Sequence, residues 1–382
     1  MDRIYLDHNA TTPIDPVVLE AMGPYLREIF GNPSSVEHED GHAAALAVST
    51  ARAQVAEAIG ARENEIVFTG SCTEADNLAI FGIARANPDK KHLVTTAIEH
   101  PAILEPARAL EREGWRVTYL PVNEDGRVSV TAVAESLCDD TVLVSVMAAN
   151  NEVGSLQPIQ EIGALCAERG VVFHTDLAQI AAYGAIDVER DNIHLASLSA
   201  HKAYGPKGVG VLYVRSRRPK VKLAPLLFGG GQERGLRPGT LNTAGIVGMG
   251  AAMAVANRTA KSESARLTGL CCAFRDALLE RIPDAVLNGH PTERLPNNLS
   301  FSIPGLEPLA LMRNLRGQLS FSASSACATN KIATSHVLLA MFGNTERARE
   351  AFRIAPGRFT TAAQMDAALG LIVDECARLR RR

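Results

Sequence analysis

No run of apolar residues in this 382-residue chain is long enough to span a bilayer, so no transmembrane helix is expected. The formal net charge is only -3 with 21% charged residues, which lacks the strong charge of one sign that a nucleic-acid partner calls for. The start, Met1-Asp2-Arg3-Ile4-Tyr5, enters a strand-like run without a basic segment followed by an apolar stretch; no signal peptide is read there, and a cytoplasmic location is expected. Seven cysteines, an odd number with no C-x-x-C pair, argue against a disulfide framework or a structural zinc site. The ten histidines show no H-E-x-x-H or comparable ligand spacing, so no metal site is expected. There is also no G-x-G-x-x-G after a first strand and no Walker-type G-x-x-x-x-G-K-[ST], which disfavours nicotinamide and nucleotide-triphosphate chemistry. No internal repeat or low-complexity linker is present.

What is present is an alternation. Short β-branched runs at Glu65–Thr69, Leu93–Ala97, Arg116–Leu120, Thr141–Met147, Val171–Thr175, Ile193–Ser197 and Val209–Val214 are separated by Ala-rich segments of helical spacing, such as Thr73–Ala86 and Ile159–Arg169. Strand and helix repeated in this way predict an α/β fold with a mostly parallel, doubly wound sheet. After Gly229-Gly230-Gly231 the pattern changes to a long helix over Ala244–Leu279, strands at Leu299–Ile303 and Leu319–Ser322, and further helices. The chain is long enough for two domains. We place a large domain at 15–255 and a smaller α+β domain at 1–14 with 256–382.

Ligands of open parallel sheets bind beyond the carboxyl ends of the strands. The first run is followed by Gly70-Ser71-Cys72-Thr73, small and hydroxyl residues opening a helix, which suit a phosphate cradle or an ordinary N-cap. Glu99-His100-Pro101 offers a flat ring, although a strand-end histidine also serves as a structural hydrogen-bonder. Asn150-Asn151 fits a turn as readily as a ligand contact. Asp176 ends a buried run and needs a cation or several donors, either a protonated ring nitrogen or a helix N-terminus. Lys202, in Ser199-Ala200-His201-Lys202-Ala203-Tyr204-Gly205-Pro206, is placed like a Schiff-base amine at the mouth of the sheet, or is a surface charge. A phosphate cradle, a ring cover, a carboxylate for a pyridinium nitrogen and an amine for an aldehyde together match the needs of pyridoxal 5'-phosphate.

Longer motifs then carry a family resemblance. Tyr5-Leu6-Asp7-x-Asn9-Ala10-Thr11-Thr12-Pro13, Thr73-Glu74-Ala75-Asp76-Asn77, Asn150-Asn151-Glu152-Val153-Gly154, His174-Thr175-Asp176, His201-Lys202, Gly229-Gly230-Gly231-Gln232-Glu233-Arg234-Gly235 and Gly357-Arg358-Phe359-Thr360-Thr361 stand in family order. The chain resembles cysteine desulfurases of the NifS/IscS type, within the class V aminotransferase group. The resemblance implies a fold-type I homodimer with its active site at the subunit interface, converting L-cysteine to L-alanine. Lys202 would form the internal aldimine and move the Cα proton, Asp176 would pair the pyridinium nitrogen, Gln179 would contact the ring hydroxyl and His100 would stack on the ring. Asn151 would position cofactor and substrate. Cys72, Thr73, Ser199 and His201 would hold the phosphate, joined by Thr240 from the partner chain. Arg353 would grip the substrate carboxylate, and Cys327 would take the sulfur as a persulfide for delivery to an acceptor protein.

The chain departs from the family pattern in places. Ser324 stands where relatives usually have glycine, three residues before the cysteine, which predicts a stiffer, strand-like Cys327 segment. Ala355 replaces a serine near the carboxylate site, and Pro238 and Pro356 occupy less common positions. These changes suggest a specialised member, of the DndA type that serves bacterial DNA phosphorothioation, while iron–sulfur scaffolds and tRNA-thiolation carriers are compatible acceptors. Rival readings are an aminotransferase or selenocysteine lyase of the same fold, and a sulfur-carrier scaffold without catalysis. The Arg-rich C-terminus and the Arg215–Lys222 cluster read as solvated faces, so direct nucleic-acid binding is not expected.

Overall fold

The computed structural model describes residues 3–184, 186–323 and 334–381. The chain opens with β1 (Ile4–Tyr5), α1 (Pro16–Arg27) and α2 (Glu39–Ala58). There follow β2 (Ile66–Thr69), α3 (Cys72–Ala86), β3 (His92–Thr96), α4 (Pro101–Arg112), β4 (Arg116–Leu120), α5 (Val130–Ser136), β5 (Thr141–Ser145), α6 (Ile159–Arg169), β6 (Val172–Asp176), β7 (Leu195–Ser199) and β8 (Gly210–Val214). The seven runs read as strands all enter one sheet, in the order β2-β8-β7-β6-β5-β3-β4. Strands β4, β3, β5, β6 and β7 are parallel, and β8 is antiparallel to both β7 and β2. β2 therefore runs with the parallel set, and six of these strands end on one edge.

Both faces of this sheet are covered, which is why its strands read as continuous apolar runs rather than alternating ones. On one face Phe68, Val144, Phe173, Leu198 and Val211 pack with Val55 of α2 and Ile162 of α6. Their strand neighbours Val67, Leu143, Leu195 and Leu212 face the other way, onto Leu78 of α3 and Ile103 of α4. Fully burying each such side chain contributes about 1.5–3 kcal/mol. Local signals set the helix starts on the sheet's carboxyl edge: Ser71 accepts from Glu74 N at 3.1 Å to cap α3, and His100 precedes Pro101 at the start of α4.

α7 (Thr243–Arg281) leads out of the large lobe, and the boundary read at 255/256 falls inside this single helix. Its first half contributes Ile246, Met249 and Met253 to the large core, and its second half packs Cys271, Phe274 and Leu278 into a separate one. β9 (Val286–Asn288), β10 (Leu299–Ser302), α8 (Pro308–Asn314), β11 (Leu319–Ser320), β12 (Ser322–Ala323), α9 (His336–Phe342), α10 (Glu346–Arg349), β13 (Ala351–Ile354) and α11 (Ala362–Leu379) follow. β12, β13, β10 and β9 form an antiparallel sheet, and β11 instead pairs in parallel with β1. The single run expected at Leu319–Ser322 is thus broken at Phe321, where the chain leaves one sheet for another. β9 and β13 were not anticipated. β13 joins the central strand β10 and carries Arg353 into the interior.

The expected solvated faces hold in part. Arg378 pairs with Glu375 and Arg380 with Asp284 at the surface. Arg215 is the exception: it is buried, and its Nη2 donates to Val188 O at 2.8 Å, so it is a structural residue.

Candidate active site

The carboxyl edge of the sheet opens onto a cavity of about 380 Å³, within the range of small-molecule sites. Its wall is assembled from the ends of separate strands. Ser71, Cys72 and Thr73 come from the start of α3 after β2, His100 from the start of α4 after β3, and Asn151 from the segment after β5. Asp176 ends β6, with Gln179 three residues on, and Ser199, His201 and Lys202 follow β7. Arg353 enters from β13 of the small lobe. Among the expected site residues, Thr240 is exposed and is not part of this wall. Cys327 and Ser324 lie outside the described residues.

Three features give the cavity its chemistry. First, the Lys202 amine donates to the carbonyls of Asn9 and Ala10, the latter at 2.9 Å. Burial, reinforced by the nearby Arg353 charge, pushes its pKa down to about 8. The amine is therefore available in its neutral form close to physiological pH. Second, the Asp176 Oδ1 accepts from Ala178 N at 2.8 Å and from Cys72 Sγ at 3.5 Å. Burial beside Asp176 raises the Cys72 thiol well above its usual value, so this sulfur is a donor and not a nucleophile. Third, the first turn of α3 faces the cavity with N–H groups that no helical carbonyl can accept. Gly210 permits this docking, since a Cβ there would stand 2.5 Å from the Ser71 carbonyl carbon and 2.8 Å from Cys72 N.

His100 caps α4 by accepting from Ala102 N at 3.1 Å, which fixes its ring orientation, and desolvation lowers its pKa. A neutral ring with an exposed face can lie against a flat ligand. Gln179 and Asn9 hold each other: Asn9 Nδ2 donates to Gln179 Oε1, and Gln179 Nε2 donates to Asn9 O, both at 3.0 Å. Arg353 is buried, with Nη1 on Asn151 O at 2.7 Å and Nη2 on Asp7 Oδ1 at 2.6 Å and Ser322 Oγ at 3.1 Å. Its Nε is buried without a partner. The Arg353 guanidinium nevertheless lines the cavity, and its planar fork suits an anionic ligand oxygen pair.

Sequence reasoning missed Asn9, Asp76 and Glu152 in the wall, and Asp7 behind Arg353. All four belong to the ordered motifs, but nothing in their spacing separates them from ordinary turn and helix positions. Cys72, Asp76 and Asp176 also present ligand atoms within 4.8 Å of one another, a grouping that belongs to this same wall.

Comparison with known proteins agrees with this geometry. Residues 4–367 match the family model Aminotransferase class-V. The chain is 44% identical over 378 residues to the cysteine desulfurase IscS of Rickettsia bellii (strain OSU 85-389), covering 99% of this chain and 92% of that protein. Among solved structures, a NifS-like protein superposes with a TM-score of 0.91 at 36% identity, covering 98% of this chain and 99% of the other. DndA from Streptomyces lividans superposes with a TM-score of 0.77 at 33% identity, covering 91% and 97%.

Proposed function

The chain belongs to the class V aminotransferase family and is a pyridoxal-phosphate-dependent cysteine desulfurase, and from that premise we propose how its residues divide the reaction. The observation that carries the proposal is the meeting, in one cavity, of a buried lysine amine with a lowered pKa, a carboxylate at a strand end and a helix N-terminus. These fit pyridoxal phosphate: Lys202 would hold its aldehyde carbon, Asp176 its ring nitrogen and Gln179 its ring hydroxyl. His100 would cover the ring, and the α3 N-terminus with Cys72, Thr73, Ser199 and His201 would hold the phosphate. When bound, the cofactor supplies an electron-withdrawing ring system conjugated to the substrate Cα.

The chain's own residues do the rest. Arg353, which lines the cavity, orients L-cysteine by its carboxylate, its guanidinium giving up a contact to Asp7 or Asn151 to do so. The neutral Lys202 amine takes the Cα proton. The Cys327 thiolate attacks the substrate sulfur, an S–S bond forms as the substrate C–S bond breaks, and L-alanine leaves with the enzyme holding Cys327–S–SH. The persulfide then passes to an acceptor protein.

Other parts of the proposal concern assembly. The exposed apolar residues Val17, Leu19, Leu26, Phe30, Leu46 and Phe228 support a homodimer, and the exposed Thr240 is free to reach a partner's phosphate site. A monomer in sedimentation would overturn this. We keep the division into lobes at 255/256 and the cytoplasmic location as parts of the same proposal; among the described residues no helix is long and apolar enough to cross a membrane. The departures at Ser324 and Ala355 and the likeness to DndA support a phosphorothioation acceptor, and the 44% identity to IscS supports an iron–sulfur one. Tracing labelled cysteine sulfur into DNA or into iron–sulfur proteins in the host distinguishes them.

The direct test is incubation of the purified protein with L-cysteine, following alanine and protein-bound sulfur. Alanine formed in equal amount to transferred sulfur is expected; 3-mercaptopyruvate in place of alanine would point to transamination, and pyruvate with sulfide to β-elimination. Arg353→Leu should raise KM for L-cysteine and lower kcat/KM by about 10²–10⁴-fold, since two charge-assisted hydrogen bonds are lost at roughly 1.5–3 kcal/mol each. The yellow absorbance of bound cofactor should survive in this variant.

A further inference from the structure

Asp76 is only 1% exposed, and neither of its carboxyl oxygens has a hydrogen-bond partner. An ionised carboxylate buried in that way would cost several kcal/mol, and such groups hold a proton instead. The surroundings offer no compensation. Asp176 on β6 and Glu99 before α4 both add negative potential at Asp76, and only the Ser197 hydroxyl on β7 favours its charged form. That hydroxyl is engaged with His174 Nε2 at 2.9 Å. His174 Nε2 stands 3.7 Å from Asp76 Oδ1, but its ring is neutral, since complete burial pushes its pKa to about 3 and both its nitrogens face serine hydroxyls. Cys72, one turn earlier on α3, turns its sulfur to Asp176.

We propose that Asp76 is a neutral carboxylic acid, and that it acts as a positioning residue by leaving Asp176 as the single negative charge beneath the ring nitrogen. The second half rests on the reading of Asp176 given above. Two adjacent carboxylates behave as one titrating unit, and the site separates them by environment. Asp176 has donors in Ala178 N and Cys72 Sγ, whereas Asp76 has at most the Ser197 hydroxyl, which it shares with His174. The pH dependence follows. Burial first, then the Asp176 charge, raises the Asp76 pKa well above its ordinary value, so the native state binds more protons than the unfolded chain above the usual carboxylate range. Stability attributable to Asp76 therefore falls as pH rises, and Asn at this position removes that dependence.

The experiment uses infrared difference spectroscopy and thermal unfolding on the cofactor-free and cofactor-loaded protein, wild type and Asp76→Asn. Glu99 and Glu152 are also buried with raised pKa values, Glu99 to about 8, so the band assigned to Asp76 is the protonated-carboxyl stretch, expected in both forms, that Asp76→Asn loses and that Glu99→Gln and Glu152→Gln keep. The melting temperature of the variant should fall less steeply than that of wild type between about pH 5 and pH 8. Absence of the band from wild type would overturn the neutral acid. Loss of the band on loading would overturn the single charge at Asp176. An Asp76→Asn variant as steep in pH as wild type would count against both, and if that variant folds poorly, a protonated-carboxyl stretch that persists in the Glu99→Gln, Glu152→Gln double variant still reports Asp76. Failure to take up pyridoxal phosphate would instead remove the functional reading, while the band in the cofactor-free protein still decides the state of Asp76.

Discussion

Lys202→Ala should abolish alanine formation, with a loss of at least about 10⁴-fold in kcat/KM. A positioned general base contributes on the order of 10²–10⁴-fold by itself, and this side chain is also the proposed covalent anchor of the cofactor. The structure explains why no neighbour can substitute. The Lys202 amine sits over the Asn9 and Ala10 carbonyls, and the other nitrogen bases in the wall are ill suited to the task. His201 is occupied with Thr11 Oγ1 at 3.1 Å, and burial drives its pKa down to about 4. His100 is bound to its own helix cap. Lys202→Arg is the sharper control, because a guanidinium keeps the charge but cannot be deprotonated in the working range. It should be as inactive as the alanine variant, with the same melting temperature within about 1 kcal/mol of stability. In wild type the rate should rise through about pH 8 as the amine loses its proton. A flat profile across that range, or an arginine variant within tenfold of wild type, would remove Lys202 from the proton-transfer role.

How much of this was legible in the chain depended on range. The large sheet could be read because its strands are buried on both faces, and Leu93, Val144 and Phe173 stand in unbroken apolar runs. The antiparallel sense of β8 left no mark in the sequence, since Gly210–Val214 reads as apolar as its parallel neighbours. The small lobe was less clear because its pairing is set at a distance. β13 meets β10 across some 50 residues, and residues 4–5 reach β11 across more than 300. At the site, residues that follow a strand directly, such as Asp176 and Lys202, could be placed from topology alone. Asp7 could not, because its meaning comes from Arg353 on a strand 346 residues away. Asp76 was invisible for the opposite reason: it looks like any polar position near the start of a helix, and only its burial sets it apart.

Cys327→Ser should reduce alanine formation from L-cysteine by at least about 10³-fold, on the scale of losses seen when an enzyme's nucleophile is removed, while the protein keeps the yellow colour of bound cofactor. The two expectations separate because the proposed cofactor contacts and the sulfur acceptor belong to different parts of the chain. Every described residue assigned to the ring or its phosphate lies between Cys72 and Thr240, and the cysteine comes more than 80 residues later in the sequence. The other sulfurs cannot take over. Cys72 lines the cavity but is pinned to Asp176, and burial suppresses its ionisation. Cys166, Cys271 and Cys376 are buried, with pKa values pushed up to between about 11 and 12. Cys138 is exposed with a lowered pKa, but it lies beside Arg116 and is not in the cavity wall, and neither is the half-buried Cys272 on α7. Among the described cysteines none offers a thiolate to the cavity, which leaves the proposed role to Cys327, outside the described residues. A serine there offers a hydroxyl that is neither ionised nor able to form the S–S bond. If, with an added dithiol to reduce released zero-valent sulfur to sulfide, Cys327→Ser forms alanine as fast as wild type, the persulfide step on Cys327 is wrong. The same cavity would then belong to a lyase that expels sulfur directly, and selenocysteine turnover by the variant would identify it.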